Sequence, residues 1–292
     1  MVKRYRVADF VFGISMPDGF SFDSLAMTNL APFELGSCAE EDIFCLSVED
    51  TLPDFPEKPL YRTEDGPGFP EIALFESEGG WVVRVKPLPH LPEASVMWMK
   101  EDFSEVRLQF LNPRERHFAL NNALMLAFAF STARRGALEM HSSVVMNAGK
   151  GYMFLGRSGT GKSTHSSLWI RHIPGTELLN DDNPILRLMP DGAVRVFGSP
   201  WSGKTPCYKA KDVLAGAIVS LKQAPYNKIE RLSPIQAYAT LMSSSSAFRP
   251  FKALADGWHD TMEKIAGKVP VFQLECLPDR EAAELCHSTV NG

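Results

Sequence analysis

The 292-residue chain has few cysteines and no cysteine pair at metal or redox spacing. Cys38, Cys45, Cys207, Cys276 and Cys286 are scattered and include no Cys-x-x-Cys, which removes zinc-ribbon and thioredoxin-like readings. Reduced thiols, several of them buried, are expected instead. No apolar run approaches the roughly 20 residues that span a bilayer. The basic start Met1-Val2-Lys3-Arg4-Tyr5-Arg6 has no apolar stretch behind it, so no secretory signal is read there. An excess of positive charge is also missing: the net charge is −5, which argues against bulk attraction to nucleic acid or to an anionic membrane. There is no internal repeat, and the only low-complexity tract is Ser243-Ser244-Ser245-Ser246. With 45% hydrophobic and 22% charged residues, a soluble, cytoplasmic, globular protein is expected.

One stretch carries chemistry. Gly156-Arg157-Ser158-Gly159-Thr160-Gly161-Lys162-Ser163-Thr164 matches G-x-x-x-x-G-K-[ST] in full. Its glycines let the backbone turn sharply and aim successive N–H groups at phosphate oxygens. Lys162 is placed to reach the β- and γ-phosphates and Ser163 to complete a magnesium shell, so ATP and Mg2+ are the expected cofactors. The flanks fit, with a short apolar strand over 151–155 and a helix over 162–170 whose positive end faces the same anion. The bland alternative, a Gly/Ser-rich loop that matches by chance, is weakened by that context.

Two halves are expected. Residues 1–112 are rich in prolines and acidic residues, with strand-like segments at 7–15, 43–48, 72–76 and 81–85 and a hairpin turn at Gly79-Gly80. They read as a small β-rich domain without a catalytic pattern. Residues 113–292 begin with a largely apolar helix over 118–138, ending at Arg134-Arg135-Gly136. Strands follow at 142–147, 177–181, 184–189, 194–197, 214–221 and 269–275, with helices at 234–243, 251–266 and 280–288. Hairpins surround the glycine loop where parallel crossovers would be usual. The fold class is therefore α/β (α+β), with a mixed, largely antiparallel sheet.

Asn180-Asp181-Asp182-Asn183 ends an apolar strand one helix beyond the loop. Phosphoryl transfer needs a positioned metal and a carboxylate for the acceptor's proton, and two adjacent aspartates can divide those tasks. Their mutual repulsion is expected to raise one pKa and make it a better base. Taken alone, Asp-Asp-Asn-Pro reads more readily as a turn, and the glycine loop before it reverses that preference. His141, at the boundary between the long helix and the next strand, has only a weak standing by itself.

Together, His141, the hairpin, Gly-x-Ser-Gly-Thr-Gly-Lys-Ser and Asp181-Asp182 resemble the HPr kinase/phosphorylase family over residues 140–187, extending toward 221. The resemblance implies a nucleotide-binding core shared with ATP-dependent phosphoenolpyruvate carboxykinases. It implies that Asp182 takes the proton of a serine or other hydroxyl, that Asp181 and Ser163 stand on the metal side, and that His141 orients the transferred group. It also implies a phosphoryl acceptor, be it protein, peptide or small molecule, and a homo-oligomer among the assemblies open to the chain. The family's Glu-x-Arg-Gly-x-Gly segment is replaced by Val196-Phe197-Gly198-Ser199-Pro200-Trp201-Ser202-Gly203-Lys204, which lacks the metal-binding glutamate and speaks against phosphorolysis. That segment looks like the one in HPr-kinase-like proteins of modified-peptide biosynthesis. Lys204 and Arg249 are further candidate phosphate contacts. The leading reading is a phosphotransferase; the alternative is a non-catalytic ATP-binding module with a degenerate kinase site.

Overall fold

Ala8 and Asp9 have φ of 48° and 58°, the left-handed pair of a tight hairpin turn, and they split what reads in sequence as one strand into two. β1 (Val2–Val7) and β2 (Phe10–Ser15) pair antiparallel across that turn. The basic first residues are thus a sheet strand. A computed structural model describes residues 2–17, 20, 25–36, 39–63, 70–203, 205–246 and 252–292. The chain forms two units, Met1–Thr132 and Ala133–Gly292.

In the first unit the hairpin is joined by β3 (Glu34–Leu35), β4 (Cys45–Val48), β5 (Tyr61–Arg62), β6 (Glu71–Ser77), β7 (Gly80–Lys86), β8 (Ser95–Lys100) and β9 (Glu105–Phe110). Their order in the sheet is β3-β1-β2-β4-β9-β8-β7-β6-β5, parallel where β4 meets β2 and β9 and antiparallel elsewhere. The hairpin of β8 and β9 was not anticipated: Ser95–Lys100 is buried on nearly every position and shows no alternation, whereas Glu105–Phe110 does alternate. α1 (Arg116–Thr132) belongs to this unit and packs on β8 and β9. It stops six residues before the expected end at 138. Gly136 (φ 75°) turns the chain, and the last residues expected in the helix are strand. Phe12 is stacked on Phe44 at 4.9 Å and meets the edge of Phe128 from α1.

The second unit contains β10 (Ala137–Glu139), β11 (Ser142–Asn147), β12 (Lys150–Leu155), α2 (Lys162–His172), β13 (Glu177–Asp182), β14 (Ile185–Leu188), β15 (Val194–Phe197), β16 (Asp212–Gln223), β17 (Lys228–Arg231), α3 (Pro234–Ser244), α4 (Lys252–Ala266), β18 (Val271–Cys276) and α5 (Arg280–Asn291). The sheet path is β10-β14-β15-β16-β12-β11-β13, with β18 beside β16 and β17 beyond it. β16 runs parallel to β12 and β18, and the other pairs are antiparallel, so the sheet is mixed as the hairpins implied. β17 was not foreseen; its four residues are mostly exposed.

β10 meets β14 in the register that β11 keeps with β13 as far as Val144, with Leu138 opposite Leu186 and Ser142 opposite Asp182, and the pairing slips by one residue beyond Val144. The Met140 N–H donates to the Pro184 carbonyl at 3.1 Å between them. Residues 137–147 and 177–188 therefore form one long ladder with a break at 140–141, and the functional candidates sit at that break. α2 and α5 cover β12, β16 and β18 through Phe154, Leu168, Trp169, Val219, Leu274 and Cys286. Among the described residues no helix is long and apolar enough to cross a membrane.

Candidate functional site

The strand β12 delivers the chain to Gly156 and α2 carries it away from Gly161. Between them the backbone turns through Gly156 (φ 153°), Gly159 (φ 80°) and Gly161 (φ 108°), values that a side chain would strain. A Cβ on Gly156 would also press on Thr160 at 3.1 Å, whereas Gly159 and Gly161 face open space. The loop is held from both sides. Thr160 donates its hydroxyl to the Arg157 carbonyl at 2.6 Å, and Gln223 at the end of β16 donates to the Gly159 and Thr160 carbonyls at 3.3 and 3.4 Å. The helix is pinned to the sheet by the buried pair Ser143 and Ser166, 2.6 Å apart. Arg157, Ser158, Ser163 and Thr164 are exposed around the helix start.

Lys162, by contrast, is only 8% exposed. Its ammonium donates to the Gly156 carbonyl at 2.9 Å and lies 3.1 Å from His141 Nε2. Burial pulls its pKa down, and the charges of Asp182 and Asp181 pull it back up. His141 Nε2 is also 3.2 Å from Asp182 Oδ1. One ring nitrogen thus faces a cation and an anion. With a proton on Nε2 it donates to Asp182; without one it accepts from Lys162. His141 stands in the link between β10 and β11, not at the end of a helix as its sequence position implied.

Ser163 donates to Asp181 Oδ1 at 3.0 Å, which brings the two residues expected on the metal side together. Asp181 is buried, with its side chain directed toward α2, while Asp182 takes φ 125° and turns toward His141. Such a φ in a non-glycine residue stores strain of the kind found at working sites. The hydrogen bond from His141 and the charge of Lys162 hold the Asp182 carboxyl below its ordinary pKa, against the raising effect of burial. The repulsion between the two aspartates was expected to raise the pKa of one of them, and at Asp182 the shift runs the other way.

The Gly-Ser-Pro-Trp-Ser-Gly segment joins this site. Asn180 donates to the Ser199 and Trp201 carbonyls at 3.3 and 3.2 Å, and Gly203 N–H and the Ser202 hydroxyl reach the Asp181 carbonyl at 2.8 and 3.0 Å. A Cβ at Gly203 would come within 3.0 Å of Asp182 Oδ2, so glycine lets the segment lie against that carboxylate. Lys204 and Arg249 lie outside the described residues.

Glu139 was missed. It is buried on β10, two residues before His141, and neither carboxyl oxygen has a hydrogen-bond partner among the described residues. Burial, with the Asp182 charge second, pushes its pKa up to about 8, so it holds a proton at neutral pH. The signal was a carboxylate inside an otherwise apolar run, Ala137-Leu138-Glu139-Met140.

No group of three or more His, Cys, Asp or Glu side chains able to hold a metal occurs among the described residues. Magnesium bound through nucleotide phosphates needs only one or two protein oxygens, and Ser163 with Asp181 offers such a pair. The site thus brings together a glycine-rich loop, one buried cation, a hydroxyl–carboxylate pair and a carboxylate coupled to a histidine.

Comparison with known proteins adds little to this geometry. No family model and no curated protein matches the chain. Among solved structures, the HPr(Ser) kinase/phosphatase from Coxiella burnetii aligns with 52% of this chain and 88% of its own, at 13% identity and a TM-score of 0.31. A superposition that loose carries no argument about this chain, and the site stands on its own distances.

Proposed function

We propose that this chain is an ATP-dependent kinase of the HPr kinase-like type, with a phosphoenolpyruvate carboxykinase-like core, that transfers a γ-phosphoryl group to a hydroxyl. Serine is the foremost acceptor, on a protein, peptide or small molecule. One observation carries the reading: Gly156, Lys162, His141 and Asp182 form a continuous polar chain, with the Ser163–Asp181 pair beside it, at the start of α2.

The loop N–H groups and the helix dipole hold the phosphates, and Lys162 neutralises charge that builds on the transferred group. Magnesium, held by Ser163 with Asp181 next to it, would supply further charge neutralisation when bound. Asp182 takes the acceptor's proton. A carboxylate with a lowered pKa suffices for this, because transfer passes through a loose transition state in which the acceptor loses its proton late. His141 holds Asp182 in place and ionised. The strained backbone at Asp182 and the close approach of Gly203 keep the carboxylate from relaxing away.

The test is incubation with γ-labelled ATP and magnesium in a lysate of the source organism. Labelled acceptor in wild type and none with Asp182→Asn, at similar nucleotide affinity, is the expected result. Unchanged turnover in that variant removes Asp182 from its role. The missing glutamate in the segment after β14 favours one other reading, a non-catalytic ATP-binding module; nucleotide binding without transfer or ADP formation in wild type would establish it.

A further inference from the structure

The serine run at the end of α3 borders this site. Met140 and Ser245 form an antiparallel bridge, flanked by two backbone hydrogen bonds: His141 N–H to the Ser244 carbonyl at 2.7 Å and Ser246 N–H to the Glu139 carbonyl at 3.0 Å. Ser244 therefore lies opposite His141, the residue that touches both Lys162 and Asp182. Opposed residues on paired strands lie about 5 Å apart.

The four hydroxyls differ. Ser243 donates back to the Thr240 carbonyl at 2.9 Å and Ser245 to the Met242 carbonyl at 3.4 Å. The hydroxyls of Ser244 and Ser246 have no hydrogen-bond partner among the described residues, Ser244 half-buried and Ser246 exposed. Ser243 and Ser245 each bond back three residues across the last turn of α3, which leaves the hydroxyls of Ser244 and Ser246 unengaged. The unengaged pair is the one opposite Glu139 and His141.

We propose that Ser244 and Ser246 are phosphoryl acceptors in cis, modified by the site they border; the inference rests on the kinase reading above. The serine Oγ forms a bond to the γ-phosphorus of ATP and the bond from that phosphorus to the β–γ bridging oxygen breaks. ADP leaves with the electron pair, and the hydroxyl proton passes to the Asp182 carboxylate. A phosphoserine here places about two negative charges beside His141 and Lys162, so modification is expected to weaken ATP binding and limit further turnover.

The experiment uses the purified full chain with γ-labelled ATP and magnesium over a range of protein concentrations. Phosphopeptides are mapped by mass spectrometry, and bound nucleotide and ADP are measured in the same reactions. Phosphate on Ser244 or Ser246 is expected, at an initial rate per molecule independent of protein concentration. The double variant Ser244→Ala/Ser246→Ala should lose that label while still binding ATP, and Asp182→Asn should lose it as well. ADP formation or labelling of an added hydroxyl acceptor, with this segment unlabelled, overturns the inference and leaves the kinase reading standing. A rate per molecule that rises with protein concentration overturns transfer in cis. Failure to bind ATP at all overturns the kinase reading and, with it, the inference.

Discussion

The two units bury different kinds of side chain. Among the described residues of the first, the buried polar residues are Asn29, Ser95 and Thr132, all uncharged. The second buries Glu139, Lys162 and Asp181, together with His165, Asn180 and a set of serines. Burying a charge is unfavourable unless it is paired. Lys162 and Asp181 have partners within 3.1 Å, and Glu139 avoids the penalty by keeping its proton. The described residues of the first unit pack around Phe12, Phe44 and Phe128, and ion pairs such as Lys3–Glu34 and Arg6–Glu40 lie near the surface, where they contribute little. The second gives up packing economy to hold charges in fixed places, as a site that must stabilise charge requires.

That contrast can be broken most sharply at Asp182. Asp182→Asn should lower phosphoryl transfer by roughly 10²–10⁴-fold while leaving nucleotide affinity within about twofold, measured by transfer assay and by titration calorimetry. A parallel loss of affinity would mean that the residue is there for structure. In the first unit, Phe12→Ala should destabilise folding by about 3–5 kcal/mol in denaturant unfolding, because it removes a fully buried ring stacked on another. The nucleotide affinity of the folded fraction should not change.

The buried acid provides a third measurement. With a folded pKa near 8 and an unfolded one near 4.3, Glu139 binds its proton more tightly in the folded state. Its contribution is therefore most favourable below about pH 4 and is lost as pH rises toward 8. Glu139→Gln, which cannot ionise, should be more stable than wild type at pH 8 by on the order of 1–3 kcal/mol, with the difference shrinking toward pH 5. Thermal melts of both proteins across that range would show it; parallel curves would place the carboxyl in contact with solvent or a cation. The smallest effect belongs to the loop: Gly161→Ala has room for its Cβ but not the φ of 108°, and should reduce nucleotide affinity by about 1–2 kcal/mol.

Much of the site was legible in the order of residues. The glycine loop needs a strand before it and a helix after it, and local propensity supplies both, so 151–155 and 162–170 fall within a residue or two of β12 and α2. The placing of Asp181 beside Ser163 was implied by the family resemblance, and the two side chains do meet. Glu139 was not legible, since a carboxylate in an apolar run is unremarkable until the strands around it close. The placement of Ser244 opposite His141 escaped for a similar reason, being a contact between segments about a hundred residues apart. In the first unit β8 was lost because a strand buried on both faces carries no alternation to read, β9 was passed over although Glu105–Phe110 alternates, and the end of α1 was overrun because Ala137-Leu138 continues its apolar character.

By itself the order of amino acids determined the glycine-rich loop between β12 and α2, because close spacing and glycine's freedom of φ are local properties that need no distant partner. It likewise indicated the hairpin of β11 and β12 before that loop, but the hairpin expected after it is corrected by the sheet, where α2 crosses over to β13, parallel to β12 with β11 between them. Only the tertiary structure decided the electrostatics: that Lys162 and Asp182 meet through one nitrogen of His141, that Asp182 is held acidic, and that Glu139 is the carboxyl held protonated. Those are matters of distance and of exclusion from water, and neither exists until strands far apart in the chain have been brought side by side.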